Sequence, residues 1–270
     1  MDLPAGSHSS SLESPPVVNA FWIGRRLGAL GRACLRSFLR HGHPVHLHVY
    51  EEPEDVPAGV VLHDGARIMP RSLAVPHRKT GSYALASDRF RYELMAAEAG
   101  IYVDCDCYCL GPLRSHDYMF GWESNEFIGA GVLKMPPDSD LLQALLHIFR
   151  TDGFIPPWLN ESRQRRMRWR RLLGRPVELG DMPWGTAGPL AVSHYAKETG
   201  VADRAQPPDL YYPLSYYHAR LLVDPHLTLD ELITPRSEII HLWNEYWRQA
   251  GIGNLPVGSP LALILAEGKE

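Results

Sequence analysis

Gly100 to Leu113 reads GIYVDCDCYCLGPL, with Asp104 and Asp106 one residue apart and interleaved with Cys105, Cys107 and Cys109, three of the chain's four cysteines. Two like charges this close call for a cation. Hard oxygen ligands suit Mg2+ or Mn2+, ions commonly held by one or two carboxylates together with substrate phosphates. The cysteines offer a rival chemistry, a soft-metal or redox site. On an extended strand side chains alternate, so Asp104, Asp106 and Tyr108 are expected on one face and the cysteines on the other. Zinc favours thiolates brought together by C-x2-C turns, whereas alternate residues on a strand stand roughly 6–7 Å apart. The geometry favours buried, apolar cysteines and leaves the chemistry to the carboxylates.

The preceding segment carries two more charged groups. At 100° per residue, Ala86, Phe90, Leu94 and Ala97 share one face of a helix expected over Tyr83–Ala99, and Asp88, Arg91, Tyr92 and Met95 cluster nearly opposite. Both faces are partly apolar, so the helix is expected to be buried. Arg89 and Glu93 can pair on a wetter flank. Asp88 and Arg91 would enter the interior as a charged pair, which is costly without partners.

The elements that must position these groups read as alternating strands and helices. VVNAFWIG, from Val17, is a strand; Gly28–Arg40 is a helix; HPVHLHVYEE alternates Val45, Leu47 and Val49 with His46 and His48, as a half-buried strand does. A short strand and loop follow over Gly59–Ala74, then the helix closed by Gly100 as a left-handed cap, then Ile101–Val103. This order predicts an α/β fold with a mainly parallel central sheet, whose ligands bind at the carboxyl ends of the strands. Phe127–Met135 reads as a strand and Ser139–Arg150 as a helix. The remainder is irregular and rich in proline and aromatics. A disordered lead-in is expected over 1–16, a single domain over 17–255 and a packed tail, including LALILA, over 256–270.

SDRFRYELMAAEAGIYVDCDCYCLGPL, Ser87 to Leu113, resembles the signature of the family 32 glycosyltransferases, the D-x-D sugar-binding group. That pattern runs Ser-Asp-x-x-Arg-Tyr, a helix, then Gly-Gly-x-Tyr-x-Asp-x-Asp, with Ala99-Gly100 here in place of the glycine pair. NAFWIG resembles the family's first strand and EIIHLWNEYW its closing His-x-Trp segment. In WESNEFIGAGVL, Glu123, Asn125 and Glu126 are present, and Gly129-Ala130-Gly131 stand where the family has a strand asparagine.

The resemblance implies a GT-A (Rossmann-like) fold, a nucleotide-sugar donor, Mn2+ or Mg2+, and sugar transfer with retention of configuration. By position, Asp106 would bind the metal, and Asp104 would contact metal, ribose or sugar. His241 would be the third metal ligand, with Trp243 nearby. Asp88 and Arg91 would hold sugar hydroxyls and the phosphate side, and Phe21, Trp22 and Ile23 would line the base and ribose. A cation and an arginine would stabilise the charge growing on the departing diphosphate. Glu123, Glu126 and Asp117 are candidates for a nucleophile. The expected donor is a UDP-sugar, with GDP-mannose as the alternative. The acceptor would be a glycan or a lipid-linked molecule, in capsular-type polysaccharide synthesis.

The 270 residues carry a formal charge of −4, which gives no global footprint for nucleic acid. No secretory leader is visible, and LALILA, the longest apolar run, falls far short of the roughly 20 residues of a membrane span. A cytoplasmic protein is expected. ESRQRRMRWRRLLGR concentrates arginines between Arg163 and Arg175 and could touch an anionic acceptor or the inner face of the plasma membrane. His46 and His48 share a strand face and need no metal. WGTAGPL lacks phosphate-loop spacing and resembles a late Gly-Pro turn of the family that would shape the donor pocket. Two rival readings remain: an inactive sugar-nucleotide-binding protein, and a cysteine-metal module.

Overall fold

The computed structural model describes residues 14–251 and 255–269; most of the expected lead-in, residues 1–13, lies outside them. In chain order the elements are β1 (Val18–Trp22), α1 (Gly28–Arg40), β2 (Val45–Val49), β3 (Val61–Asp64), α2 (Ala84–Ala96), β4 (Ile101–Val103) and β5 (Cys107–Cys109). Then come β6 (Val132–Leu133), α3 (Asp140–Arg150), α4 (Glu161–Leu172), α5 (Pro189–Glu198), α6 (Pro208–Tyr211), β7 (Ile239–His241), α7 (Asn244–Ala250) and α8 (Pro260–Glu267). Among the described residues no helix is long and apolar enough to cross a membrane.

The fold is α/β with a mostly parallel central sheet, ordered β3-β2-β1-β4-β6. β1, β2, β3 and β4 run parallel, and β6 pairs antiparallel with β4. The chain builds outward from β1 through β2 to β3, then crosses back along α2 to place β4 on the other side of β1. The sheet order therefore reverses between β1 and β4, the point at whose carboxyl edge sheets of this kind bind ligands. Side-chain alternation assigns the faces: Val18, Ala20, Val45, Leu47, Ile101 and Val103 pack with Leu35 and Phe38 of α1. Phe21 and Tyr102 turn the other way, toward Phe90 and Leu94 of α2 and the leucines of α3.

Three elements differ from the sequence expectation. GIYVDCDCYC is not one strand: β4 stops at Val103, a turn closed by Cys107 N–H donating to Asp104 C=O at 3.0 Å follows, and β5 leaves the main sheet to pair with β7. Helix α2 ends at Ala96, and two residues after it hold positive φ, Glu98 at 53° and the expected Gly100 at 113°. Gly100 is needed for space as well, because a Cβ on it would stand 2.8 Å from the carbonyl oxygen of Val17. The expected strand over Phe127–Met135 contracts to β6, flanked by isolated bridges from Met119 to Lys134 and from Trp122 to Ile128.

The tail packs as expected. Leu261 and Ile264 of α8 are buried against Leu30, Ala33 and Cys34 of α1. Glu267 closes the contact by accepting from Arg40 Nη1 at 2.8 Å and from Tyr108 Oη at 2.9 Å.

Candidate functional site

Asp104 is the first residue past β4, at the carboxyl edge of the sheet where its order reverses. Its carboxylate accepts from Arg91, Nη2 to Oδ1 at 3.0 Å and Nη1 to Oδ2 at 3.4 Å, and from the Tyr102 hydroxyl at 2.9 Å. Arg91 comes from α2, where one helical turn brings it under Asp104 with only 4% of its surface exposed. Its remaining donors reach the carbonyl oxygens of Ser87 and Ala130, and its guanidinium lies 4.8 Å from the centre of the Tyr102 ring. A buried guanidinium stays charged and costs free energy unless it is paired, and here two carboxylates pair it.

Asp88 is the second of them, with Oδ1 at 3.5 Å from Arg91 Nη2. Burial pushes its carboxyl above the usual carboxylate range, Arg91 pulls it back, and Asp104 adds to the rise. The chain that passes over it is WGTAGPL, which leads into α5. A Cβ on Gly188 would stand 2.8 Å from Asp88 Oδ1, so only glycine lets the start of α5 come this close to the carboxylate. The helix end provides favourable polarity for that charge.

Asp106 forms the other half of the site. Its Oδ2 accepts from the Asn244 N–H at 2.8 Å, at the start of α7, and its backbone carbonyl accepts from Leu242 at 2.8 Å. Its Oδ1 faces His241 Nε2 at 3.4 Å. His241 Nδ1 accepts from the Trp243 N–H at 3.3 Å, which leaves Nε2 as the ring nitrogen turned toward Asp106. Trp243 holds a left-handed backbone conformation, φ 56°, uncommon for a bulky residue and a pointer to a constrained site.

The two halves share a floor. A Cβ on Gly131 would stand 2.9 Å from His241 Cδ2, 3.1 Å from its Nε2 and 3.2 Å from Asp104 Oδ2. A Cβ on Gly129 would overlap the ring of Tyr212, which packs beside His241. The glycines of Gly129-Ala130-Gly131 are therefore spatial requirements, and Ala130 contributes its carbonyl to Arg91.

Asp106, Cys107 and His241 form a set of three whose ligand atoms lie within 4.8 Å of one another, the one such His/Cys/Asp/Glu set among the described residues. The expected separation of aspartates and cysteines on opposite faces holds for an extended strand, and the turn over Asp104–Cys107 replaces that strand, which lets Asp106 and Cys107 share this set. Cys107 is nevertheless a poor partner for a hard cation. Burial pushes its thiol well up, Asp106 and Asp104 raise it further, and it donates to the Gly131 carbonyl at 3.4 Å. All four cysteines are free and buried, as expected. An oxygen of Asp106 and the Nε2 nitrogen of His241 fit Mn2+ or Mg2+, ions that bind the unprotonated form of each ligand.

The other predicted residues fall into place unevenly. Phe21 is 4% exposed and stacks on Phe90 at 3.9 Å between ring centres, so it lies inside the core and not against a ligand. Trp22 and Ile23 are half-buried at the end of β1, and the Trp22 indole nitrogen is buried without a hydrogen-bond partner. Trp243 is half-buried, with its indole N–H bound to the Leu214 carbonyl at 2.8 Å. Glu123 is half-buried, and burial raises its carboxyl to about 7, opposed by His241 and reinforced by Asp104. Glu126 and Asp117 are exposed. Sequence reasoning missed Tyr102 as a partner of Asp104, though a tyrosine two positions earlier on a strand shares its face.

His46 and His48 lie away from these groups. His48 Nε2 pairs with Asn19 Oδ1 at 2.9 Å, and its ring lies beside His63 and Phe90. Comparison of the chain with protein-family models and with curated proteins found no match.

Proposed function

We propose that the chain is a metal-dependent, retaining glycosyltransferase of GT-A fold that uses a nucleotide diphosphate sugar, with a UDP-sugar as first choice. The observation that carries this reading is the convergence on Gly131. Asp104, tied to Arg91 and Asp88, stands on one side, and Asp106 facing His241 stands on the other, at the edge where the sheet order reverses. That edge is where parallel sheets bind nucleotides.

Asp106 and His241 would hold the divalent cation. Bound there, it would neutralise the diphosphate and act as a Lewis acid on the leaving group. The chain's own residues do the rest. Arg91 keeps a fixed positive charge in a water-poor position, where it stabilises phosphate charge more than it could in bulk water. Asp104 and Asp88 offer acceptors for sugar hydroxyls, and both are oriented by Arg91, so little reorganisation is needed on binding. Glu123, the candidate acid that senses both His241 and Asp104, is held near neutrality and is the reading's candidate nucleophile or base. The acceptor would be a glycan or a lipid-linked molecule in polysaccharide synthesis.

A second reading has one observation behind it. Cys107 joins Asp106 and His241, which would suit zinc if the thiol ionised.

Thermal unfolding of the full chain with Mn2+ and a panel of UDP- and GDP-sugars tests the proposal. At about a hundredfold excess over Kd, the true donor is expected to raise Tm by roughly 5–10 °C. Stabilisation without donor turnover would assign an inactive sugar-nucleotide-binding protein. No shift with any donor would contradict both, and stoichiometric zinc in protein purified without chelator would favour the cysteine-containing set.

A further inference from the structure

The run ESRQRRMRWRRLLGR folds into α4 and the turn after it. Asn160 caps the helix, its side chain accepting from the Arg163 N–H at 3.0 Å. The helix is anchored to the protein by Met167, which is buried with Leu159 and Met182. At 100° per residue, Trp169 and Leu172 point away from Met167. They are 67% and 81% exposed, and Leu173 beside them is 70% exposed. Three large apolar side chains within five positions face solvent here.

Around them stand Arg165, Arg166, Arg168, Arg170, Arg171 and Arg175, none of which forms an ion pair among the described residues. The carboxylates that follow in sequence, Glu178 and Asp181, are already taken by Arg78 at 2.5 and 3.0 Å. Arg163, Arg166 and Arg170 line a cleft of about 750 Å³ together with Lys79, Trp184 and the Arg78–Asp181 pair. A chain of net charge −4 thus concentrates uncompensated positive charge on one helix. A soluble anion would satisfy the arginines but leave Trp169, Leu172 and Leu173 in water. A lipid surface takes both, because an interfacial helix seats its apolar side chains at the headgroup boundary while flanking arginines meet lipid phosphates.

We propose that α4 is a docking surface for an anionic lipid bilayer, with Trp169, Leu172 and Leu173 entering the interface and the arginines contacting headgroup phosphates. This goes beyond the proposed catalytic reading and does not depend on it.

Flotation of the full chain with phosphatidylcholine vesicles, with and without phosphatidylglycerol, tests the proposal. The wild type is expected to float with the anionic vesicles only, and less at high salt. Arg165→Gln/Arg168→Gln/Arg171→Gln is expected to lower the partition coefficient about fivefold per arginine removed. Trp169→Ser/Leu172→Ser/Leu173→Ser, which keeps every charge, is expected to lose most of the remaining binding; should it unfold, Leu172→Ser alone carries the same test with a smaller loss. Failure of the wild type to float at low salt would overturn the proposal. So would unchanged partitioning of the folded apolar variant, which would mark the helix as a binder of soluble anions.

Discussion

Asp106 Oδ1 and His241 Nε2 face each other at 3.4 Å because β5 and β7 pair in a register that sets Cys107 opposite His241. A small two-stranded sheet thereby joins a carboxylate from the first half of the chain to an imidazole near its end. If the pair holds the cation, removing the imidazole removes one of its protein ligands. His241→Ala is expected to weaken Mn2+ binding by about tenfold or more, read by titration calorimetry. Unaltered affinity would place the cation elsewhere.

Gly131 lies under both halves of the site, and its replacement is a steric test. Gly131→Ala adds a Cβ 3.1 Å from His241 Nε2 and 3.2 Å from Asp104 Oδ2, so one of those side chains must move. The expected result is a loss of Mn2+ and donor binding with a near-native far-UV spectrum. Retained binding would mean that the spacing of the two halves is not functional.

Arg91 serves the fold as well as the site. Arg91→Ala leaves Asp88 and Asp104 without their shared cation, and the loss of one partner of a buried pair costs about 3–5 kcal/mol. Urea titrations at neutral pH are expected to show that loss, less what Asp88 recovers by taking up a proton, since burial raises its carboxyl and Arg91 is what holds it down to about 7. A destabilisation below about 1 kcal/mol would show that the carboxylates are solvated in solution.

His48 makes stability depend on pH. Burial, with His63 and His46 adding to it, lowers its pKa from 6.5 to about 4. The folded state thus prefers the neutral ring. Its contribution is complete above pH 6.5 and is lost as the pH falls toward 4, by up to about 3 kcal/mol. His48→Gln is expected to flatten the stability profile in that window. An unchanged slope would contradict the assignment.

Much of this was legible in the sequence because it rests on periodicity. Alternation in Val45–Val49 and helical spacing in Gly28–Arg40 and Ser87–Met95 placed β2, α1 and α2. The sequence singled out Asp88, Arg91 and Asp104, and the fold brings these three together. The turn over Asp104–Cys107 was hidden because it contains neither glycine nor proline, the residues that usually announce one. The resemblance put Phe21 beside a base and ribose, but the strand's alternation does not say which face packs on α2, and Phe21 is stacked there on Phe90. Gly131 and Gly188 were visible as glycines, but the atoms they make room for come from distant elements, so their roles appear only after folding.

Donor turnover is the most direct test. Wild type and Asp106→Ala, each shown to be folded, would be incubated with Mn2+ and the donor that raises Tm, and release of the nucleoside diphosphate followed. The expected result is Mn2+-dependent release by the wild type, abolished by chelation and reduced at least about a hundredfold in Asp106→Ala. Equal release by both proteins, or none by the wild type with any donor in the panel, would contradict the glycosyltransferase assignment.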